Sequence, residues 1–123
     1  MTRVLVGIGL LSLLSAPAIA ADGFVAKVEG WKREPWGGTA YVRIENRTRQ
    51  PNLTWLRIDC VAKRGLREIV GQDFGFYQGT IQPGKNVSVG VTMELHGERA
   101  DRAECEVYLT DKTGQSEYER RLR

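Results

Sequence analysis

The most constraining feature of this sequence is that apolar residues occupy every second position over most of its length. The clearest run covers residues 86–95, where valine, methionine and leucine alternate with serine, glycine, threonine and glutamate. Such alternation places apolar side chains on one face of a β-strand and polar side chains on the other. Turn residues separate these runs at intervals of about ten residues. The sequence therefore predicts an all-β protein.

Several segments carry this pattern and predict strands. They are Phe24–Trp31, Thr39–Glu45, Leu53–Ala62, Ile69–Tyr77, Asn86–Leu95, Ala103–Leu109 and, at the C-terminal edge, Ser116–Leu122. Seven or eight short strands in a chain of about 100 residues are typical of an immunoglobulin-like antiparallel β-sandwich. Gly71 and Gly75 interrupt the fourth segment, and we expect one of them to mark a β-bulge.

The first twenty residues have the pattern of a signal peptide. Arg3 gives a positive start, Val4–Leu14 is an apolar run, and Ala18-Ile19-Ala20 supplies a cleavage site. The apolar run is shorter than the roughly 20 residues needed to cross a bilayer. The sequence therefore predicts that residues 1–20 are removed. Residues 21–123 would then form a single soluble domain, periplasmic or secreted.

Cys60 and Cys105 are the only cysteines in the chain. Each falls in the inward-facing set of its own predicted strand, so both side chains can enter one core. In an oxidising compartment such a pair predicts a disulfide. Closing a loop of about 45 residues would stabilise the fold by roughly 4 kcal/mol. A redox motif would place the two cysteines closer in sequence, and a metal site would need more ligands.

Charge and motif content exclude several classes of function. The chain has 18 Lys and Arg residues against 15 Asp and Glu residues, a balance too even for a nucleic-acid-binding surface. His96 is the only histidine, and no nucleophile elbow, zincin or phosphate-loop motif occurs. The sequence therefore predicts no catalytic residue, no cofactor and no metal.

Two outward carboxylates leave one enzymatic alternative. Glu104 and Glu106 lie about 7 Å apart along one predicted strand face, a distance compatible with acid and base roles in a hydrolase. The simpler interpretation is that they pair with outward arginines, Arg57 or Arg43, on neighbouring strands.

Aromatic residues are the best candidates for function. Trp31 and Trp36 bracket a predicted loop that contains Arg33, and Trp55 begins the third strand on its outer face. Tryptophan and arginine are enriched at protein-binding hot spots. Phe74–Tyr77 is expected to contribute core and edge packing. We therefore expect a non-catalytic accessory or binding domain with a protein partner in the cell envelope. An inhibitor of an envelope or host hydrolase, or tryptophans that only cap the sandwich ends, are the alternatives.

Three N-x-S/T triplets begin at Asn46, Asn52 and Asn86. They match glycosylation sequons, which matter only in a secretory pathway that modifies them. Because the leader is of bacterial type, we expect all three to be unmodified.

Three stretches follow one another as a strand with an asparagine turn, a strand with a hairpin, and a proline–glycine turn. They are Ala40–Thr48, Ile58–Gly65 and Ile81–Lys85. This arrangement, over residues 40–95, resembles the small exported bacterial β-sandwich domains of the FxLYD type. Val61-Ala62-Lys63-Arg64 stands in the place of the string that names that family. The resemblance implies an immunoglobulin-like fold and a non-catalytic accessory role, and it supplies no site residues.

Overall fold

The computed structural model describes residues 18–19 and 23–110, which form two antiparallel sheets. The four-stranded sheet contains, in order, β1 (Ala18–Ile19), β2 (Phe24–Glu34), β3 (Gly37–Asn46) and β6 (Asn86–Glu94). The three-stranded sheet contains, in order, β5 (Glu68–Tyr77), β4 (Leu56–Arg64) and β7 (Arg102–Leu109). The described residues contain no helix, so the all-β prediction is confirmed.

The two sheets pack face to face in a sandwich-like arrangement around one core. Strand β2 lies close to β7, and β5 lies close to β6. The apolar residues predicted to face inward are buried between the sheets in β3, β4, β7, the second half of β6 and the residue that follows β6. They are Ala40, Val42, Ile44, Leu56, Ile58, Cys60, Ala62, Val91, Met93, Leu95, Ala103, Cys105 and Val107. Each of these strands therefore has one face on the core and one face outward.

Strand β2 departs from simple alternation at a bulge. Val28 pairs with Val42 and Gly30 pairs with Tyr41, so Glu29 is the extra residue. A bulge changes which side chains of a strand face the core. As a consequence Trp31 packs against the core. The strand also continues three residues beyond the predicted end, to Glu34.

A second bulge lies in β5, beside the glycine at which one was expected. Lys63 pairs with Ile69 and Ala62 pairs with Gly71, so Val70 is the extra residue. A Cβ atom added at Gly71 would lie 2.4 Å from Cδ2 of Leu95. Glycine at this position therefore lets Leu95 pack closely against the backbone of β5.

The predicted disulfide between Cys60 and Cys105 is present. The two residues pair directly across β4 and β7, their Cα atoms are 4.1 Å apart, and both are buried. The bond therefore joins neighbouring strands of one sheet and does not connect the two sheets. No free cysteine occurs among the described residues.

Two sequence predictions fall largely or entirely outside the described residues. One is the leader, residues 1–20, of which only Ala18 and Ile19 are described. These two pair with Ala26 and Val25 of β2, so cleavage after Ala20 would remove this pairing. The other is the last strand, Ser116–Leu122. In the part of the chain that is described, no helix is long and apolar enough to cross a membrane.

Candidate interaction surface

The four residues predicted to bind a partner lie at opposite ends of the domain. Trp31 and Arg33 lie in the last part of β2, and Trp36 lies in the turn that follows. The carbonyl of Trp36 accepts a hydrogen bond at 3.0 Å from the backbone N–H of Leu95. Trp55 comes after the far end of β3 and immediately before β4. The structure therefore brings the first three together and separates Trp55 from them.

The Trp31 side chain makes structural contacts within the domain. Its indole Nε1–H donates to the carbonyl of Ala100 at 3.1 Å. The ring lies over Gly38, where an added Cβ atom would be 2.4 Å from the indole. The contact ties β2 to the connection between β6 and β7. Trp36, 46% exposed, and the exposed Arg33 present more surface to solvent at this end.

Trp55 belongs to an aromatic group on the outer face of the three-stranded sheet. Its ring centroid lies 5.9 Å from that of Phe76, and Phe76 lies 5.6 Å from Phe74. The planes of Trp55 and Phe76 are tilted by 60°, and those of Phe74 and Phe76 by 79°, which is the edge-to-face geometry that aromatic pairs favour. Trp55 and Phe74 are 45% and 47% exposed. The rings therefore support one another while presenting apolar surface to solvent.

Arg57 lies against these rings. Its guanidinium carbon is 4.0 Å from the centroid of the Phe74 ring, and its Nε donates to Asp59 at 2.6 Å. Stacking on an aromatic face and a hydrogen bond to a carboxylate together fix the orientation of the guanidinium. We refer to Trp55, Arg57, Phe74 and Phe76 as the outer-face cluster.

Strand register brings a polar row beside the outer-face cluster. Tyr108 of β7 pairs with Arg57, and Glu106 pairs with Asp59. The Tyr108 hydroxyl donates to the Glu106 carboxylate. The cluster is therefore bordered on its β7 side by hydrogen-bonding groups.

The carboxylates considered for hydrolysis are engaged by other side chains. Glu104 pairs with Lys63 at 2.9 Å and with Arg102 at 3.0 Å, and not with Arg57 or Arg43 as expected. Glu106 accepts the Tyr108 hydroxyl. Among residues 18–19 and 23–110, no group of three or more His, Cys, Asp or Glu residues could hold a metal ion.

Phe74 and Phe76 were expected to contribute core and edge packing, and the structure divides the segment between two faces. Leu56 pairs with Tyr77, and Tyr77 packs against the core. Because side chains alternate, Phe76 and Phe74 take the outer face, next to Arg57. The outward position of Arg57 and Asp59 on β4 was predicted from sequence. The sequence did not show that β4 pairs with β5, and this pairing is what places Phe74 and Phe76 next to Arg57.

Comparisons with protein-family models, with curated proteins and with solved structures find no match for this chain. The function is therefore inferred from the chemistry of the surfaces described above.

Proposed function

We propose that the protein is an exported, non-catalytic binding domain that holds a protein partner on the outer face of its three-stranded sheet. The observation that carries this proposal is the outer-face cluster. It combines exposed aromatic rings with a stacked arginine, which is the composition of binding hot spots. A polar row with Tyr108 and Glu106 borders it, as the rim of a protein interface does.

The rigidity of the cluster supports the same role. Arg57 is held by Asp59 and by the Phe74 ring, and the carbonyl of Trp55 accepts both the backbone N–H and the hydroxyl of Thr110 at 2.9 and 2.8 Å. Side chains that are ordered before binding lose little conformational entropy when a partner arrives. A preformed surface of this kind suits recognition.

The wider setting of the proposal is an immunoglobulin-like domain that works in the periplasm or outside the cell. The strand order β2–β3–β6 against β5–β4–β7 supports this fold, because it matches strands A, B and E facing strands that include C and F. A buried disulfide fits an oxidising compartment, and residues 1–20 have the pattern of a signal peptide. The resemblance to FxLYD-type domains implies the same accessory role.

A second candidate function is inhibition of an envelope or host hydrolase. The observation that favours it is the two-residue turn Pro35–Trp36 between β2 and β3. Trp36 is exposed, and its carbonyl is fixed by the N–H of Leu95. A rigid projecting turn of this kind could enter an enzyme cleft.

The test compares three aromatic positions of similar exposure on the full-length chain. Phe74→Ala removes the centre of the outer-face cluster, Trp36→Ala alters the turn, and Tyr41→Ala changes a 45% exposed ring on the opposite sheet. Each variant is cross-linked in envelope extract, and stoichiometric partners are identified by mass spectrometry. We expect Phe74→Ala to weaken partner binding by more than about tenfold, with little change in the thermal midpoint and with Tyr41→Ala unaffected.

Other outcomes would change the assignment. Loss of a hydrolase partner in Trp36→Ala alone would favour the inhibitor. Equal partner binding by Phe74→Ala and Tyr41→Ala would contradict the proposed binding role of the cluster, and unfolding of Phe74→Ala would show that its ring serves packing.

A further inference from the structure

The crossover between β3 and β4, residues 47–55, holds one leucine out in solvent. Leu53 is 90% exposed, whereas the preceding Asn52 is only 7% exposed. The Asn52 amide nitrogen donates to the carbonyls of Thr54 and Gly79 at 2.9 Å, and its oxygen accepts the N–H of Ile81 at 2.8 Å. Leu53 therefore lies between anchored residues and is held outward by the loop.

A second buried asparagine anchors the beginning of the crossover. Asn46 is fully buried, and its amide nitrogen donates to the carbonyls of Gln50 and Ile81, both at 2.8 Å. Its oxygen accepts the N–H of Thr48 at 2.8 Å. The crossover is thus fastened at two points to the segment that precedes β6.

Basic side chains surround this end of the domain. Arg47 and Arg49 lie in the crossover, and Lys85 is adjacent because its carbonyl accepts the N–H of Asn46 at 3.0 Å. All three side chains are exposed. Arg47 pairs with Glu45 at 2.9 Å, while Arg49 and Lys85 have no carboxylate within ion-pair distance among the described residues. We refer to Arg47, Arg49, Leu53 and Lys85 as the crossover end.

The opposite end of the domain provides an internal comparison. Leu66, in the turn between β4 and β5, is 86% exposed. Its neighbour Arg64 is paired with Glu68 at 2.7 Å and with Glu98 at 3.0 Å, and Asp101 accepts a backbone N–H of the same turn at 2.9 Å. Within the described part of the chain, the cations Arg64 and Arg102 near Leu66 are paired with carboxylates, and Arg67 is not. At the crossover end Glu45 pairs with Arg47 and leaves both Arg49 and Lys85 unpaired, so positive charge predominates there.

We propose that the crossover end docks on an anionic lipid surface. Leu53 enters the boundary between headgroups and acyl chains, and Arg47, Arg49 and Lys85 lie near the lipid phosphates. Apolar side chains together with basic residues bind anionic bilayers in this way. One leucine and a few charges give weak and reversible attachment. The proposal does not depend on the proposed protein partner, because the two surfaces are different.

The experiment is vesicle flotation of the protein recovered after export, which under the proposed function lacks residues 1–20. One vesicle population is phosphatidylcholine alone, and the other contains about one third phosphatidylglycerol. We expect binding only to the anionic vesicles and release as salt is raised. Leu53→Ser should lower the bound fraction, and Arg49→Glu, which changes the charge by two units, should weaken binding by about tenfold or more.

Matched variants at the opposite end supply the control. Leu66→Ser and Arg67→Glu make the same chemical changes in the same exported chain, and they should bind as the wild type does. Phe74→Ala should also retain vesicle binding, which separates this proposal from the proposed function. Equal flotation of the Leu53→Ser and Leu66→Ser proteins would overturn the proposal, and so would binding to phosphatidylcholine alone. Absence of vesicle binding together with loss of a protein partner in Leu53→Ser would overturn it as well and assign the crossover end to a protein contact.

Discussion

Replacing Asn46 should destabilise the domain far more than a change at the end of a strand usually does. Asn46→Ala removes the donors to the carbonyls of Gln50 and Ile81 and the acceptor for the N–H of Thr48. The backbone geometry of the crossover and of the segment before β6 depends on these contacts. The change therefore disturbs two connections at once.

The expected loss in the free energy of unfolding depends on which of the groups that Asn46 contacts can bond to water in the variant. Ile81 is 1% exposed, so its carbonyl is left without a donor, at a cost of about 1 to 3 kcal/mol. The groups on Gln50 and Thr48 are partly buried, and losing each bond costs about 1 kcal/mol. The free energy of unfolding should thus fall by roughly 3 to 5 kcal/mol, out of about 5 to 15 kcal/mol for a typical domain. The thermal midpoint should fall by more than about 12 °C.

The assay is urea denaturation of the full-length chain, with unfolding monitored by tryptophan fluorescence. Asn46→Asp is a second variant that keeps the shape and the acceptor but loses both donors, and it should be at least as unstable. Asn86→Ala is the control, because Asn86 begins another N-x-S/T triplet but is exposed, and its effect should stay within about 0.5 kcal/mol. A loss below about 1 kcal/mol for Asn46→Ala would refute the reasoning that its buried amide donors stabilise the fold.

Two further predictions concern contacts at the other end of the domain. Gly38→Ala places a methyl group 2.4 Å from the indole of Trp31 and should cost about 1 to 3 kcal/mol. Trp31→Phe removes the ring atoms that this methyl group meets, so unfolding of the double variant should show a loss smaller than the sum of the single losses, and strict additivity would contradict the contact. Hydrogen bonding to Arg64 lowers the pKa of Glu68 below its ordinary value of 4.5, so the stabilisation is present at neutral pH and is lost as pH falls through the folded-state pKa. The NMR titration midpoint of Glu68 should rise in Arg64→Gln, and an unchanged midpoint would exclude that pairing in solution.

Alternation of apolar and polar residues was sufficient to predict the strands that have one face on the core and the other face outward. In β3, β4 and β7 the core-facing residues could be read directly, and the cysteine pair followed from the same alternation. Strand β2 shows the limit of this approach. The bulge at Glu29 depends on pairing with β3, so the inward turn of Trp31 is a non-local property that its own segment does not contain.

The same limit applies to the candidate surfaces. Trp55 was identified because it belongs to the outward-facing set of the third predicted strand, whereas Phe74 and Phe76 could be placed only once β5 was paired with β4. The N-x-T triplet at Asn46 had a local explanation, since an asparagine oxygen commonly accepts the N–H two residues later. The partner Ile81 is distant in sequence, so burial of this asparagine could not be inferred from the triplet.

The position of the disulfide decides how this chain would bear a mechanical load. The bond between Cys60 and Cys105 closes a covalent ring that includes β5 and β6 and leaves β2 and β3 outside it. Tension applied at the two termini would pass from one sulfur atom to the other and bypass residues 61–104. Stretching would therefore extend β2 and β3 once their pairing with β6 is broken, whereas the disulfide would prevent extension of residues 61–104.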